Sequence, residues 1–308
     1  MTTLPSAPNR NLVIVRAGDH SLHPAGGTRN WDLHISHFGT LTEAPADLPP
    51  GVIWSSGERR PKWPGIADAI AAGLWSLDAY GWIAIADDDL IVEADAWSRA
   101  FDIARARNLP ACQLSLLHGS FWAEPDTLRL PGLLLHFVKR VEQMAIIVRV
   151  DLFRRLIPFM SKPGNLWAMD HVLVHLAGEE AHRFAVLDTA SALHTRRFWS
   201  GAAYQHYASG GSSAFESAFE EEKAFLAENH IPYVQQATRG GIDLADRPLA
   251  EIWWRWPSYL PARFLRKFRE FKQTPRIASS DGETIWLLRR FAGVRLGHVN
   301  RRRVKTQA

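Results

Sequence analysis

Asp87, Asp88 and Asp89 are the residues whose types and spacing best suit chemistry: three consecutive carboxylates ending the apolar run Trp82-Ile83-Ala84-Ile85-Ala86. A buried strand needs no charge of its own, and the carboxyl ends of strands in α/β sheets are where ligands sit. Adjacent carboxylates repel one another unless a cation, a proton or a basic partner offsets them. A hard divalent ion is the natural offset, because such ions take oxygen ligands and share them with substrate phosphates. The plain alternative is a solvated acidic turn, with Asp89 or a neighbour capping the helix that follows near Glu93.

The elements that must position these groups alternate between strand and helix. Leu12-Val13-Ile14-Val15 reads as a buried first strand, followed by a Gly18-Asp19-His20 turn. Trp31 to Phe38 alternates with period two as a half-buried strand, and Gly51 to Ser55 is a short third strand. Ile66, Ala69, Ile70, Gly73, Leu74 and Leu77 recur at helical spacing, with Pro64 near the first turn, in a helix expected to end near Tyr80-Gly81. It leads into the Asp-tipped strand, which is thus about fourth in order. A helix from Glu93 to Arg107 then leads to a strand around Gln113. This rhythm implies a mainly parallel sheet covered on both faces. Beyond residue 120 the sequence predicts a loop over Trp122–Gly132, a strand at Met144–Val148, helices at Asp151–Met160 and Trp167–Ala177, and a strand at Phe184–Asp188. Ser209 to Ser213 reads as a linker or as the start of a helix over Ala214–Glu228.

Composition narrows the class. With 308 residues, 46% of them hydrophobic, 13 Trp and 15 Phe, the chain suits one large α/β domain, or one domain with an appendage. Disorder is excluded. The one cysteine, Cys112, rules out an internal disulfide framework and a cysteine-rich zinc site, and its apolar setting marks a core thiol. Residues 1–11 lack a signal-peptide pattern, and no apolar run approaches the roughly 20 residues that span a bilayer, so a cytoplasmic location is expected. Charge is lopsided. Residues 251–308 hold 14 Lys and Arg against 4 Asp and Glu, so a whole-chain +4 divides into +10 for the tail and −6 for residues 1–250.

Taken in order, the motifs resemble a known family over roughly residues 9–197. They are a strand after Asn11, a Trp31-Asp32 strand ending His37-Phe38-Gly39, Lys62-Trp63 ahead of a helix, and Trp82 with Asp87-Asp88-Asp89-Leu90. They continue with the Gln113 strand, Trp167-Ala168-Met169-Asp170, and Val186-Leu187-Asp188 followed by Leu193-His194. The family is uncharacterised-domain family 707, whose plant members carry the label "lysine-ketoglutarate reductase trans-splicing related". The chain departs from it at Asp88, where the family has Glu, at Ala168, where it has Gly, and in lacking the Cys-rich middle segment of plant members.

That family in turn looks like glycosyltransferases of the A-type fold, in which an acidic motif at a strand end holds Mn²⁺ or Mg²⁺ on a nucleotide-sugar. The resemblance implies metal ligation by Asp89 and His194, with Asp87 facing the ribose or the ion's water shell and Asp88 in the nucleotide site. His194 is otherwise an ordinary histidine bonded to backbone. An inverting transfer needs a base near the acceptor hydroxyl. Asp170 is the candidate, beside Trp167 on the substrate side; the alternative is that it caps its own helix or pairs with a basic neighbour. Lys62 would neutralise diphosphate, or is an exposed loop lysine, and Asp19 is a weaker nucleotide contact.

The expected domains are therefore an α/β domain over 9–200 and a helical, basic, Trp-rich appendage over 201–308. Within the latter, Phe264, Leu265, Phe268 and Phe271 fall at helical spacing, flanked by Arg263, Arg266, Lys267 and Lys272, behind Trp253, Trp254 and Trp256. Residues 251–272 thus suit an anionic membrane surface, at the inner face, or equally a helix packed on the catalytic domain. Nucleic acid is disfavoured by the acidic body. The leading function is a metal-dependent glycosyltransferase using a nucleotide-sugar donor and a glycan or lipid-linked acceptor. The alternatives are an Asp-dependent phosphotransferase or phosphatase with Asp87 as nucleophile, and a non-catalytic glycan- or partner-binding protein.

Overall fold

A computed structural model describes residues 10–19, 21–22, 29–46, 48, 52–58, 60–196 and 214–250. The chain divides into two compact units, Met1–Arg255 and Trp256–Ala308. The second unit lies outside the described residues, as do the basic stretch 251–272 and the Ser209–Ser213 linker candidate.

The first unit is built on one twisted sheet. Its first strands are β1 (Arg10–Ala17), β2 (Trp31–His37), β3 (Val52–Ser56), β4 (Tyr80–Asp87) and the two-residue β5 (Leu90–Ile91). Then come β6 (Ala111–Leu116), β7 (Leu133–Val138), β8 (Ala145–Arg149), β9 (Ala185–His194), β10 (Thr238–Asp243) and β11 (Pro248–Leu249). The spatial order is β11-β10-β7-β9-β6-β8-β4-β1-β2-β3, with β5 pairing β9 apart from this path. β1 and β4 lie side by side near the middle of the sheet and read as continuous apolar runs because both of their faces are covered. Helices α1 (Lys62–Ala71), α2 (Ala94–Ala106), α3 (Val150–Met160), α4 (Met169–Ala177) and α5 (Ala214–Glu228) supply much of that cover. Trp63 and Ile66 of α1, Phe153 and Leu156 of α3, and Met169 and Val172 of α4 pack with Ile83 and Ile85 of β4 in one core. Cys112 is fully buried in β6, and burial pushes its thiol up, as suits a core residue.

Three features differ from the sequence reading. The sheet is mixed and not mainly parallel: β3-β2-β1-β4 is parallel, but β8 runs antiparallel to both β4 and β6, and β7 antiparallel to β9 and β10. β7 and β8 run in the same direction, and the short link between Val138 and Ala145 carries the chain past the intervening β9 and β6. β8 is thereby antiparallel to the strands on either side of it, and His136 and Ile146 lie on one row of the sheet. A continuous apolar run such as Met144–Val148 reads alike in either direction. Secondly, α1 stops at Ala71, before Gly73 at φ 67°, and not near Tyr80. Thirdly, the sheet continues past the expected boundary at 200/201, because β10 pairs with β7 and β11 with β10. The Gly240-Gly241 pair in β10 hides this strand from any alternation rule, and a Cβ at Gly241 would lie 2.8 Å from the Leu135 carbonyl oxygen.

Among the described residues no helix is long and apolar enough to cross a membrane.

Candidate functional site

Four parallel strands release their chains at one edge, where the acidic residues gather. β4 ends at Asp87, whose amide donates to the Met144 carbonyl at 3.1 Å. The Asp87 carboxylate meets Lys62 Nζ at 2.7 Å, and Lys62, first residue of α1, also donates to the Gln143 carbonyl. Asp88 Oδ2 accepts from the Gly18 amide at 2.8 Å, which ties the turn after β1 to the tip of β4. Asp19, the next residue, turns toward the end of β2: its Oδ1 accepts from the Thr40 amide at 2.7 Å and lies 3.2 Å from His37 Nε2. A Cβ at Gly39 would stand 2.0 Å from the same oxygen, so glycine is what lets this turn close over Asp19.

Asp89 and His194 meet because β5 pairs with the end of β9. Leu90 lies opposite His194, and the Thr195 amide donates to the Asp89 carbonyl at 3.0 Å. His194 Nε2 is then 3.3 Å from Asp89 Oδ2, and His194 Nδ1 faces the Phe121 carbonyl at 2.8 Å. A carbonyl only accepts, so Nδ1 carries the hydrogen and Nε2 is the atom left to share a proton or a cation with the carboxylate. Such a backbone bond on the far nitrogen is the usual support for a metal-bound imidazole. Asp89 Oδ1 is buried and has no hydrogen-bond partner. An orphaned buried carboxylate oxygen beside an oriented imidazole would offer Mn²⁺ or Mg²⁺ two ligand atoms, whereas the three-residue grouping close enough to hold an ion, among the described residues, is Asp170, His171 and Glu222.

The electrostatics of the three acids diverge. Burial pushes Asp87 up, against the pull of Lys62. Burial also raises Asp88, against the Gly18 amide and Arg196. Asp89 goes the other way: burial opposes its charge, but the hydrogen bond and charge of His194 outweigh that and lower it. His194 is raised in turn, burial being outweighed by Asp89. Neighbouring acids pushed in opposite directions in this way make the tip of β4 a candidate site.

A second buried cluster adjoins the first. Asp170, in the first turn of α4, is 5% exposed, forms a very short contact with Arg140, and accepts from the His171 amide at 3.0 Å. Arg140 also binds Glu124 at 3.0 Å, and its backbone pairs with the Gln236 side-chain amide in both directions. Burial opposes the Arg140 charge, but Asp170 and Glu124 outweigh it and raise the pKa. Glu142 lies between the clusters. Its Oε2 is buried without a hydrogen-bond partner, and burial, reinforced by Glu124, pushes it up to about 8 against Arg140 and His194. Gln143 binds Trp63 through Oε1 and the Leu166 carbonyl through Nε2, joining the start of α1 to the turn that carries the half-buried Trp167.

Asp87, Asp88, Asp89, His194 and Lys62 therefore converge, with Asp19 on the adjoining turn, while Asp170 and Trp167 belong to the second cluster. Arg140, Glu142, Gln143, Glu124 and Arg196 went unread in the sequence. Arg196 alone had a local signal, standing two residues after His194. The others act through partners far away in the chain, which no spacing reveals.

No family model matches the chain, and no curated protein does. Among solved structures, the fold is similar to a candidate nucleotide-diphospho-sugar transferase from Desulfovibrio desulfuricans G20, at 10% identity and TM-score 0.35 over 72% of this chain and 98% of that one. It is also similar to S. aureus TarS 1–349 in complex with UDP-GlcNAc, at 11% identity and TM-score 0.44 over 74% of this chain and 68% of that one.

Proposed function

We propose that the protein is a metal-dependent glycosyltransferase of the A-type fold, related to uncharacterised-domain family 707, moving a sugar from a nucleotide-sugar to a glycan or lipid-linked acceptor. The observation that carries this reading is the meeting of Asp89 and His194 across the β5–β9 pair, with Asp89 Oδ2 3.3 Å from His194 Nε2 and Oδ1 of the same carboxylate buried without a partner. Asp89 and His194 would hold Mn²⁺ or Mg²⁺, with Asp87 completing the acidic wall. When bound, the ion neutralises charge developing on a leaving diphosphate. Lys62, anchored on Gln143, adds a fixed positive charge at the same edge. Gly18, Asp19 and Asp88 form the turn against which the nucleotide rests. A screen of nucleotide-sugars for hydrolysis and binding, with and without Mn²⁺, tests the reading. Metal-independent binding of every donor, or binding of none, sinks it.

Asp170 would act on the acceptor side, with Trp167 as a wall for the sugar. Its Oδ2 is engaged by Arg140, so taking a proton requires the guanidinium to shift its weight onto Glu124. Asp170→Asn is then expected to slow transfer by about 10²–10⁴-fold while donor affinity stays within about twofold, the sign of an interaction made in the transition state. Turnover and donor binding measured on the same preparation check this. An equal loss of donor affinity would reassign Asp170 to the donor site.

The basic, Trp-rich 251–272 stretch would hold the enzyme at an anionic inner membrane face, near a lipid-linked acceptor. Each basic residue near such a surface contributes about 1 kcal/mol before screening. Co-sedimentation with anionic but not neutral vesicles is expected, and its persistence after deletion of 251–308 would refute the assignment.

A further inference from the structure

Each of the three acids at the tip of β4 has its own protein cation: Lys62 for Asp87, Arg196 for Asp88 and His194 for Asp89. The three cations are held very differently. Lys62 has a second bond to the Gln143 carbonyl, and its side chain is 12% exposed. His194 is fixed by the Phe121 carbonyl and its side chain is 7% exposed. Arg196 is 43% exposed and, among the described residues, makes only long polar contacts, Nη1 to Asp88 Oδ1 at 3.4 Å and Nε to Asp89 Oδ2 at 3.8 Å. It thus sits loosely between Asp88, whose two oxygens both have partners, and Asp89, which is 8% exposed with Oδ1 buried and unpartnered.

We propose that Arg196 is an exchangeable internal cation: it covers Asp88 and Asp89 until a divalent ion arrives, and is then displaced onto the diphosphate of the ligand. The inference rests on the metal-dependent reading above and adds a role for a residue outside it. A divalent ion on Asp89 would repel the Arg196 guanidinium 3.8 Å from that carboxylate, and the group held by long contacts at the surface is the one to leave. A planar guanidinium with five donors suits a diphosphate better than it suits two acids whose oxygens it meets one at a time. The residue would therefore oppose metal binding and favour diphosphate binding, two effects of opposite sign from one side chain.

The test titrates the full chain with Mn²⁺ alone, then with a panel of nucleoside diphosphates at saturating Mn²⁺, for wild type, Arg196→Gln and Arg196→Lys. Arg196→Gln is expected to tighten Mn²⁺ about tenfold, about 1.4 kcal/mol. It is expected to weaken the best-bound diphosphate by about tenfold or more, with Arg196→Lys intermediate in both. If wild type binds Mn²⁺ and diphosphate, and Arg196→Gln leaves Mn²⁺ affinity unchanged or lowers it, the exchange is overturned while the metal-dependent reading stands. Tighter Mn²⁺ with unchanged diphosphate affinity overturns the transfer to diphosphate. Absence of Mn²⁺ binding in both wild type and Arg196→Gln overturns the exchange and the function together. Mn²⁺ binding that appears only in Arg196→Gln supports the exchange.

Discussion

Asp89→Ala is expected to weaken Mn²⁺ binding, and with it Mn²⁺-dependent donor binding, by more than about a hundredfold. Loss of an outer-shell partner alone typically costs 10–100-fold, and Asp89 would be a direct ligand. The fold should survive. The substitution removes an oxygen that is buried without a partner and relieves repulsion with Asp87 and Asp88. His194 keeps its bond to the Phe121 carbonyl and loses the partner that does most to raise its pKa. Calorimetric titration with Mn²⁺ and a thermal melt on the same sample separate the two effects. Full-affinity Mn²⁺ binding by the variant would move the cation site away from the tip of β4.

His136→Ala should produce the largest loss of stability, about 3–5 kcal/mol, because it strands a buried carboxylate. His136 and Asp188 are wholly buried on neighbouring strands β7 and β9, with Nδ1 2.8 Å from Asp188 Oδ2. His136 Nε2 faces the Asp126 carbonyl, also at 2.8 Å. Both partners are acceptors, so both ring nitrogens must donate and the ring is an imidazolium. Burial opposes that charge, but Asp188 and the two acceptors outweigh it and raise the pKa above 6.5. A raised folded pKa sets the sign. The contribution is complete below the unfolded value of about 6.5 and is lost as pH climbs through the higher folded value. Denaturant unfolding across pH should show the gap between wild type and His136→Ala widest on the acid side and narrowing as pH rises. A gap that widens with pH would mean the ring is neutral.

The tip of β4 was readable from sequence because its signal is local: an apolar strand with three acids needs no partner to be noticed. His194 was readable only through motif order, since its place opposite Leu90 depends on a pairing more than 100 residues apart. The direction of β8 was hidden, as a run buried on both faces carries no mark of polarity. β7 was missed beside Pro131-Gly132, where turn residues outweighed Leu133-Leu134-Leu135. Glu142 and Gln143 drew no reading from sequence. Their burial comes from the short link between β7 and β8, in which the Glu142 amide donates to Gln113 Oε1 of β6.

The short stretch from Ser120 to Glu124 touches both clusters: Ser120 Oγ accepts from the His194 amide, the Phe121 carbonyl orients the His194 ring, and Glu124 grips Arg140 beside Asp170. Five residues of one segment thus connect the proposed cation site with the proposed acceptor site. Any coupling between two such sites is reciprocal by thermodynamic necessity. Whatever factor one ligand imposes on the other by moving this segment is returned unchanged in the opposite order of addition. The route by which two ligands load is then set by their concentrations and rates, while the affinity of the doubly loaded protein is the same along either path.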